Sequence, residues 1–167
     1  SLLILDFIVL YNKKVYISIL VIIVALLSFY FLAGGEDVSL KIIKGDEEKV
    51  VDGEYIYSLE GAITFPAVIR SSGQKPVETE YKGIELSEFF QALGIDISDA
   101  ERLTFNASDG YRIILSVEEI EEPKNVYLVY ERDGQPMKSK KRGGEGPLRI
   151  IVRRDPFSER WIKHVDE

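Results

Sequence analysis

Arg149 raises the first chemical question in this sequence, because it interrupts the apolar run Leu-Arg-Ile-Ile-Val at residues 148–152. A guanidinium inside a hydrophobic strand needs a carboxylate or a bound anion beside it. The chain has 28 Asp and Glu residues, so an ion pair with an acidic neighbour is the first expectation. An anion-binding site is the alternative, and Arg149 is therefore a candidate binding residue.

Side chains that commonly carry out catalysis are scarce. The sequence has no cysteine, which excludes disulfides, zinc–thiolate sites, iron–sulfur clusters and a cysteine nucleophile. It has one histidine, His164, which excludes any site that needs two imidazoles. It also lacks a phosphate-cradling glycine loop of the P-loop or dinucleotide-binding type. On the residues alone we predict no catalytic residue and no metal site.

The charge balance is acidic, with 21 Lys and Arg residues against 28 Asp and Glu residues and a net charge of −7. This balance argues against nucleic acid as a partner, because non-specific nucleic-acid binding depends on a basic surface. Residues 138–144, Lys-Ser-Lys-Lys-Arg-Gly-Gly, are a local basic exception. They fit either a site for a phosphate, a lipid head group or an acidic partner, or a solvated loop.

Residues 15–33 form a run of 19 residues without a charged side chain. About 20 apolar residues span the hydrocarbon core of a bilayer, so the run predicts a single transmembrane helix. Lys13 and Lys14 favour the cytoplasmic side for its start, which places the C-terminal domain on the outer face of the cell membrane. A cleaved signal peptide is the alternative, although its apolar core usually spans only about 7–15 residues.

Lipid and other membrane subunits are the partners that these features predict. Asp6 lies within an apolar stretch ahead of the run, and an intramembrane charge usually needs a partner. We divide the chain into an N-terminal apolar and basic segment (1–14), the transmembrane helix (15–33), a tether with an edge strand (34–53) and a folded domain (54–167).

The folded domain has an α+β pattern. Alternating polar and apolar residues and turn signals predict strands at 54–61, 64–72 and 76–83, a hairpin around Ser108-Asp109-Gly110, and strands at 126–131 and 147–153. One helix is predicted from Ser87, as its N-cap, to Gly94, as its terminating residue, and a second at 116–122. Trp161 is predicted to pack at a core edge, with Ile162 and Val165 beside it on a returning strand. This order of elements is α+β and not a wound parallel sheet.

Four stretches, in this order, resemble the molybdopterin-binding domain of the sulfite oxidase family. They are YKGIELSEFFQALGI (81–95), RLTFNASDGYRIILSVEEI (102–120), NVYLVYERDGQPM (125–137) and GPLRIIVRRDPFSERWIKHV (146–165). The resemblance implies a mixed, β-rich molybdopterin-binding fold after the transmembrane helix. It also implies oxidoreductase chemistry in those relatives that keep the cofactor.

The sequence departs from that family at the molybdenum ligand. The family's cysteine aligns with Ser71, and a hydroxyl is a harder and far less acidic ligand than a thiol. The family commonly holds the pterin phosphate with Arg and His, whereas His164 is expected at the surface or a core edge. The resemblance makes Arg70, Ser71, Ser72 and Arg149 the candidate cofactor-binding residues. We expect no cofactor, with molybdopterin as the possibility that the fold leaves open.

The sequence leaves three alternative functions. The first is a non-catalytic, membrane-anchored, extracytoplasmic domain that serves as a binding or accessory subunit of a membrane redox complex. The second is an active molybdopterin-dependent oxidoreductase that uses Ser71 in place of the cysteine. The third is a domain whose pocket takes another small molecule near the same four residues.

Overall fold

The computed structural model describes Lys13, residues 15–26, Ser28 and residues 37–167. Two compact units are present, Ser1–Glu36 and Asp37–Glu167. In the first, residues 15–26 are helical with exposed side chains. Within the described residues, no helix combines the length and the apolar character needed to cross a membrane. The described residues do not include the rest of the predicted 1–14 segment, nor residues 27 and 29–33 of the predicted transmembrane helix.

The second unit is β-rich, as predicted, with three short α-helices and two single-turn 3₁₀ helices. Its strands are β1 (Ser39–Lys44), β2 (Glu47–Asp52), β3 (Ile63–Ile69), β4 (Val77–Glu85), β5 (Arg102–Asn106), β6 (Arg112–Ser116), β7 (Val126–Arg132), β8 (Gln135–Pro136) and β9 (Arg149–Val152). Its helices are α1 (Gly53–Ser58), α2 (Leu86–Ala92) and α3 (Val117–Glu121), with 3₁₀ turns η1 (Lys140–Arg142) and η2 (Ser158–Arg160).

A five-stranded antiparallel sheet forms the centre of the unit. Its order is β3-β4-β7, and the other edge of β7 pairs with both β8 and β9. Two separate hairpins, β1–β2 and β5–β6, complete the strands. Residues 126–130 of β7 and 150–152 of β9 are apolar and buried, which is typical of strands covered on both faces.

Residues 39–52, within the stretch assigned to the tether and edge strand, form the first hairpin. Its turn is Gly45-Asp46, and Gly45 has the positive φ of 61° that glycine adopts without steric cost. Leu40 and Val51 face inward and belong to the same hydrophobic core as the central sheet.

The strand predicted at 54–61 is wrong, because residues 53–58 are helix α1. Asp52 caps this helix by accepting a hydrogen bond from the Tyr55 amide at 2.7 Å. The helix buries Gly53 and Ile56, three residues apart on one face, and leaves Tyr55 and Tyr57 exposed. The tyrosines whose alternation suggested a strand are therefore exposed positions on either side of the buried face of this short helix.

Helix α2 ends as predicted but does not begin as predicted. Ser87 is not its N-cap, because the helix starts at Leu86 and Glu85 precedes it without a side-chain cap. At the other end Gly94 has a φ of 68°, and its amide donates to the Gln91 carbonyl while Ile95 donates to Phe90. This is the glycine-terminated helix end that the sequence indicates.

Trp161 packs into the core, which confirms its structural role. Its ring meets Tyr81 edge-on at 6.3 Å, and its indole N–H donates to the Val152 carbonyl at 2.8 Å. Ile162 and Val165 follow in the core, and their backbones bond to residues 150 and 148 beside β9. The segment returns along the sheet as predicted, although only Val165 makes an isolated strand bridge.

Candidate functional site

Arg149 begins β9 and is the largest fully buried polar side chain of the described residues, at 2% exposure. One amino group, Nη1, lies 2.5 Å from Glu145 Oε2 and donates to the Tyr81 hydroxyl at 3.0 Å. The other, Nη2, lies 3.5 Å from the Trp161 carbonyl oxygen. Nε has no hydrogen-bond partner among the described residues. The predicted ion pair with an acidic neighbour is therefore confirmed.

Glu145 is the common partner of three cations. Besides Arg149, its carboxylate accepts from Arg132 Nη1 at 3.0 Å and lies 2.5 Å from Lys163 Nζ. Burial raises the pKa of Glu145, but the hydrogen bond from Lys163 and the charges of Arg149, Lys163 and Arg132 outweigh it and leave the pKa lowered. The carboxylate is thus held ionised against three positive groups.

Tyr81 and Arg132 extend this cluster into the central sheet. Tyr81 lies opposite Arg132 in the β4–β7 ladder, and the Arg132 guanidinium carbon is 5.9 Å from the Tyr81 ring centroid. Burial raises the pKa of the Tyr81 hydroxyl, so it stays protonated and can accept from Arg149. Arg132 also donates to Thr79 at 2.9 Å. Arg149, Glu145, Arg132, Tyr81 and Lys163 thus form one network, hereafter the Glu145 cluster.

Sequence reasoning missed four of the five members of the Glu145 cluster. One signal was available, because Glu145 precedes Arg149 by four residues. The strand register that places Tyr81 opposite Arg132 could not be predicted from the local sequence of either strand. Lys163 reaches the carboxylate only because the C-terminal segment folds back along β9.

Arg70, Ser71 and Ser72 lie elsewhere, on the exposed turn between β3 and β4. The Arg70 amide donates to Ser158 Oγ at 2.9 Å, and the Ser158 amide donates back to the Arg70 carbonyl at 2.9 Å. The Ser71 carbonyl accepts from the Gln74 amide at 3.2 Å, as in a tight turn. Among the contacts of the described residues, none joins these three residues to Arg149.

The sequence placed His164 either at the surface or at a core edge, and in the structure its side chain is buried. Its Nδ1 lies 2.7 Å from the Gly146 carbonyl oxygen, and its backbone has a positive φ of 55°. Its amide donates to the Glu145 carbonyl at 3.3 Å. The imidazole therefore ties the C-terminal segment to the loop that carries Glu145.

The basic stretch at 138–144 is an ordered turn built around η1. Gly143 has a φ of 76° and closes the turn, and the Gly144 amide donates to the Ser139 carbonyl at 2.9 Å. Lys140, Lys141 and Arg142 are exposed. Their exposure is compatible with both interpretations that the sequence left open, a binding site for an anion or an acidic partner and a solvated loop.

The four predicted cofactor residues do not converge on one cavity. The two cavities described are a larger one of about 390 Å³ and a smaller one of about 290 Å³, and neither is lined by Arg70, Ser71, Ser72 or Arg149. Among residues 37–167 and the described part of the N-terminal unit, no three His, Asp or Glu side chains are grouped as metal ligands. Arg70, Ser71 and Ser72 therefore do not form one site with Arg149 in this structure.

A comparison of sequences nevertheless identifies the class of protein. A sequence model described as an oxidoreductase molybdopterin binding domain matches residues 67–167, more than half of the chain. The chain belongs to this family. No curated protein matches it.

A solved structure supports the same assignment at the level of the fold. The sulfane dehydrogenase SoxCD from Paracoccus pantotrophus aligns with a TM-score of 0.61 and 18% identity, over 77% of this chain and 36% of that chain. The chain thus matches little more than a third of the length of that enzyme. The resemblance to sulfite oxidase-type domains is confirmed by both comparisons.

Proposed function

We propose that this chain is a non-catalytic accessory or binding subunit that keeps the molybdopterin-binding fold without using it for catalysis. The observation that carries the proposal is the Glu145 cluster. Arg149, the interior cation available to an anionic ligand, is paired with the chain's own carboxylate. A ligand phosphate would have to displace an ion pair that is already hydrogen-bonded.

The turn that carries Ser71 gives the second argument. A metal ligand must lose its proton on binding, and enclosure by neighbouring groups holds such a ligand in place. Ser71 is exposed and lines neither cavity described. The sequence offers no cysteine that could replace it.

The proposal includes a membrane location. The uncharged run at residues 15–33 and the lysines before it support a single-pass anchor with the C-terminal domain on the outer face. The partners would be the lipid bilayer and other membrane subunits, one of which would meet Asp6. The complex would be a redox complex, in keeping with the family.

Cofactor analysis of the full chain tests the proposal. The chain would be purified in detergent from a host that makes the molybdenum cofactor, and its molybdenum and pterin would be quantified. We expect neither at a stoichiometric level, together with a reproducible set of co-purifying membrane chains identified by mass spectrometry. Stoichiometric molybdenum and pterin would contradict the proposal.

An active oxidoreductase with Ser71 as the metal ligand is the alternative, favoured by membership of the family over residues 67–167. It predicts that Ser71→Ala abolishes molybdenum retention, whereas the matched control Ser72→Ala, in the same exposed turn, retains it. If the unmodified chain holds molybdenum and Ser71→Ala holds as much, Ser71 is not the ligand.

A further inference from the structure

The basic turn, residues 138–144, belongs to a positively charged stretch of an acidic unit. Between Asp133 and Asp155 the chain carries seven Lys and Arg residues and one acidic residue, Glu145. The rest of residues 37–167 carries 12 basic and 25 acidic residues. Positive charge is therefore concentrated in one part of the second unit.

Backbone hydrogen bonds close the basic turn at its base. The Gly146 amide donates to the Lys138 carbonyl at 2.8 Å, and the Gly144 amide donates to the Ser139 carbonyl at 2.9 Å. The two sides approach so closely that a Cβ at residue 144 would lie 2.0 Å from the Lys138 carbonyl oxygen. Met137, which precedes the turn, is buried and belongs to the hydrophobic core. The turn therefore presents its side chains from a fixed backbone.

Three lysines of the basic turn have no counterion in the second unit. Lys138, Lys140 and Lys141 are exposed, and the lysine ion pairs of the described residues involve none of them. Glu145 is the one acidic residue of this stretch, and it is already shared by the three cations of the Glu145 cluster. The positive charge of the three lysines is therefore not neutralised from within the chain.

The three lysines lie close enough to repel one another. Two of them belong to η1, a single 3₁₀ turn, which has about three residues per turn and rises about 2 Å per residue. Like charges at this spacing interact unfavourably, and an anion placed beside them relieves the repulsion. The basic turn therefore favours a negatively charged partner.

The composition of the turn favours a lipid surface over a protein as this partner. Protein interfaces are depleted in Lys and enriched in aromatic residues, and their affinity is concentrated in buried anchor side chains. Among the described residues, the large hydrophobic side chains that are exposed include none between residues 132 and 149. Lysines without apolar anchors suit the headgroups of a bilayer, which attract them as separate point charges.

An extended lipid surface is also favoured over a single bound phosphate. A discrete phosphate site holds its ligand with donors that are fixed in place, such as a bidentate arginine or a concave set of backbone amides. In the basic turn, the amides of Arg142, Gly143 and Gly144 donate to carbonyls within the turn itself. The lysines end in flexible, exposed stems, which can reach separate headgroups.

We propose that the basic turn docks the second unit on the anionic phospholipids of the membrane that carries the anchor. Lys138, Lys140 and Lys141 would contact lipid phosphate groups, and each contact would strengthen docking about fivefold. An anchored chain meets the headgroups at a high effective concentration, so three weak contacts are sufficient. The same lipids would repel the acidic remainder of the unit, so docking would take place through the turn.

This inference rests on the membrane location that is part of the proposed function, and the two can be told apart. A full chain that fails to enter lipid nanodiscs would contradict the membrane location and docking together. A chain that enters nanodiscs without protecting the three lysines would contradict docking alone. The molybdenum and pterin analysis is independent of both results.

Lysine footprinting of the full chain tests the proposal. The chain would be placed in nanodiscs of phosphatidylcholine, alone or with about one third phosphatidylglycerol, and acetylated briefly before mass spectrometry. We expect Lys138, Lys140 and Lys141 to react at least about threefold more slowly in the anionic nanodiscs. Lys75, exposed in the turn after β3, is the internal control and should react equally in both. Equal reaction of the three lysines in the two kinds of nanodisc would overturn the proposal.

Salt distinguishes electrostatic docking from burial of the turn in the bilayer. About 0.5 M NaCl should restore the reaction of the three lysines to its rate in neutral nanodiscs, because exposed charges are screened. Protection that persists in high salt would contradict docking on the headgroups.

Lys140→Gln combined with Lys141→Gln removes two of the charges, with Lys138 as the reporter. Both side chains are exposed, so the core is not altered. Docking should weaken about 25-fold, and the protection of Lys138 by anionic lipid should be lost. The matched control, Lys140→Arg with Lys141→Arg, keeps both charges and should protect Lys138 as the unmodified chain does. Protection of Lys138 that survives in the Gln variant would contradict docking through these charges.

Two soluble probes identify other occupants, and we expect neither to replace anionic lipid. Inorganic phosphate that protects the three lysines in neutral nanodiscs as strongly as anionic lipid does would make the turn a site for free phosphate. Hexaglutamate that protects them in neutral nanodiscs, where anionic lipid gives no protection, would make an acidic protein the partner. Either result would overturn the proposal.

Discussion

Glu145 organises the interior at the scale of single residues. Its carboxylate neutralises Arg149, which is fully buried, and meets Arg132 and Lys163 as well. An isolated buried charge is strongly unfavourable, whereas one that is paired and hydrogen-bonded is tolerated. The stability of this region therefore depends on one side chain with three partners.

Replacing Glu145 by Ala should lower the free energy of unfolding by about 3–5 kcal/mol, because it leaves Arg149 as an unpaired buried charge. Urea denaturation followed by tryptophan fluorescence measures this, since Trp161 packs beside the cluster. The control is Glu122→Ala, which removes the exposed pair with Arg154 and should change stability by less than about 1 kcal/mol. Equal losses in the two variants would mean that the Glu145 cluster is not a buried ion-pair network.

Acid should destabilise the protein partly through Glu145. Its pKa is lower in the folded state than in the unfolded chain, so the folded state binds fewer protons. The stabilisation is complete above the ordinary glutamate pKa of about 4.3 and is lost as the pH falls further through the lowered folded pKa. The unfolding free energy of Glu145→Gln, measured against pH, should therefore fall less steeply in that range. Parallel curves for the variant and the unmodified chain would contradict this.

At the scale of elements, the β4–β7 pair depends on a glycine. The ladder has an irregularity between Lys82 and Gly83, and a Cβ at residue 83 would lie 2.1 Å from the Leu128 carbonyl oxygen and 2.6 Å from the Val129 Cα. These are backbone atoms of the central strand, which cannot move aside locally. The glycine of the Tyr-x-Gly-Ile motif therefore permits the close approach of two strands in the central sheet.

Gly83→Ala should destabilise the fold by about 3 kcal/mol or more, at the upper end of the range for overpacked cores. Thermal unfolding monitored by circular dichroism would measure it. Gly73→Ala is the control, because residue 73 has open space around it and only the strain of a positive φ, about 1 kcal/mol. Similar losses at the two positions would show that crowding at Gly83 is relieved by strand movement.

At the scale of the whole molecule, the proposed membrane location predicts on which side of a membrane the second unit lies. The cysteine-free sequence allows single labelling sites to be introduced without background. Ser72 is suitable because its turn is exposed. A thiol there would report the side of the membrane on which the domain lies.

Ser72→Cys should react with a membrane-impermeant maleimide in intact cells, because the domain is proposed to lie outside. Lys13→Cys, on the proposed cytoplasmic side, should react only after the membrane is opened. Gel-shift labelling of both variants checks this prediction. The reverse pattern would invert the topology, and labelling of both in intact cells would exclude a spanning segment between them.

The sequence by itself determined the class of fold, because local patterns encode it. Turn glycines, the alternation in β4 and β6 and the end of α2 at Gly94 depend on neighbouring residues. Four motifs in order were sufficient to indicate the family. The acidic partner of Arg149 was also expected, since a buried guanidinium has few alternatives.

Only the tertiary structure decided which distant residues share a site. Arg70, Ser71 and Ser72 lie in an exposed turn, whereas Arg149 meets Tyr81, because strand register and not sequence distance sets these contacts. Helix α1 was misread because only one of its two buried residues, Ile56, has a large apolar side chain, which gives no hydrophobic periodicity to detect. The cavity of about 390 Å³ that β1 and β5 line was invisible in the sequence, since these two strands lie more than 50 residues apart along the chain.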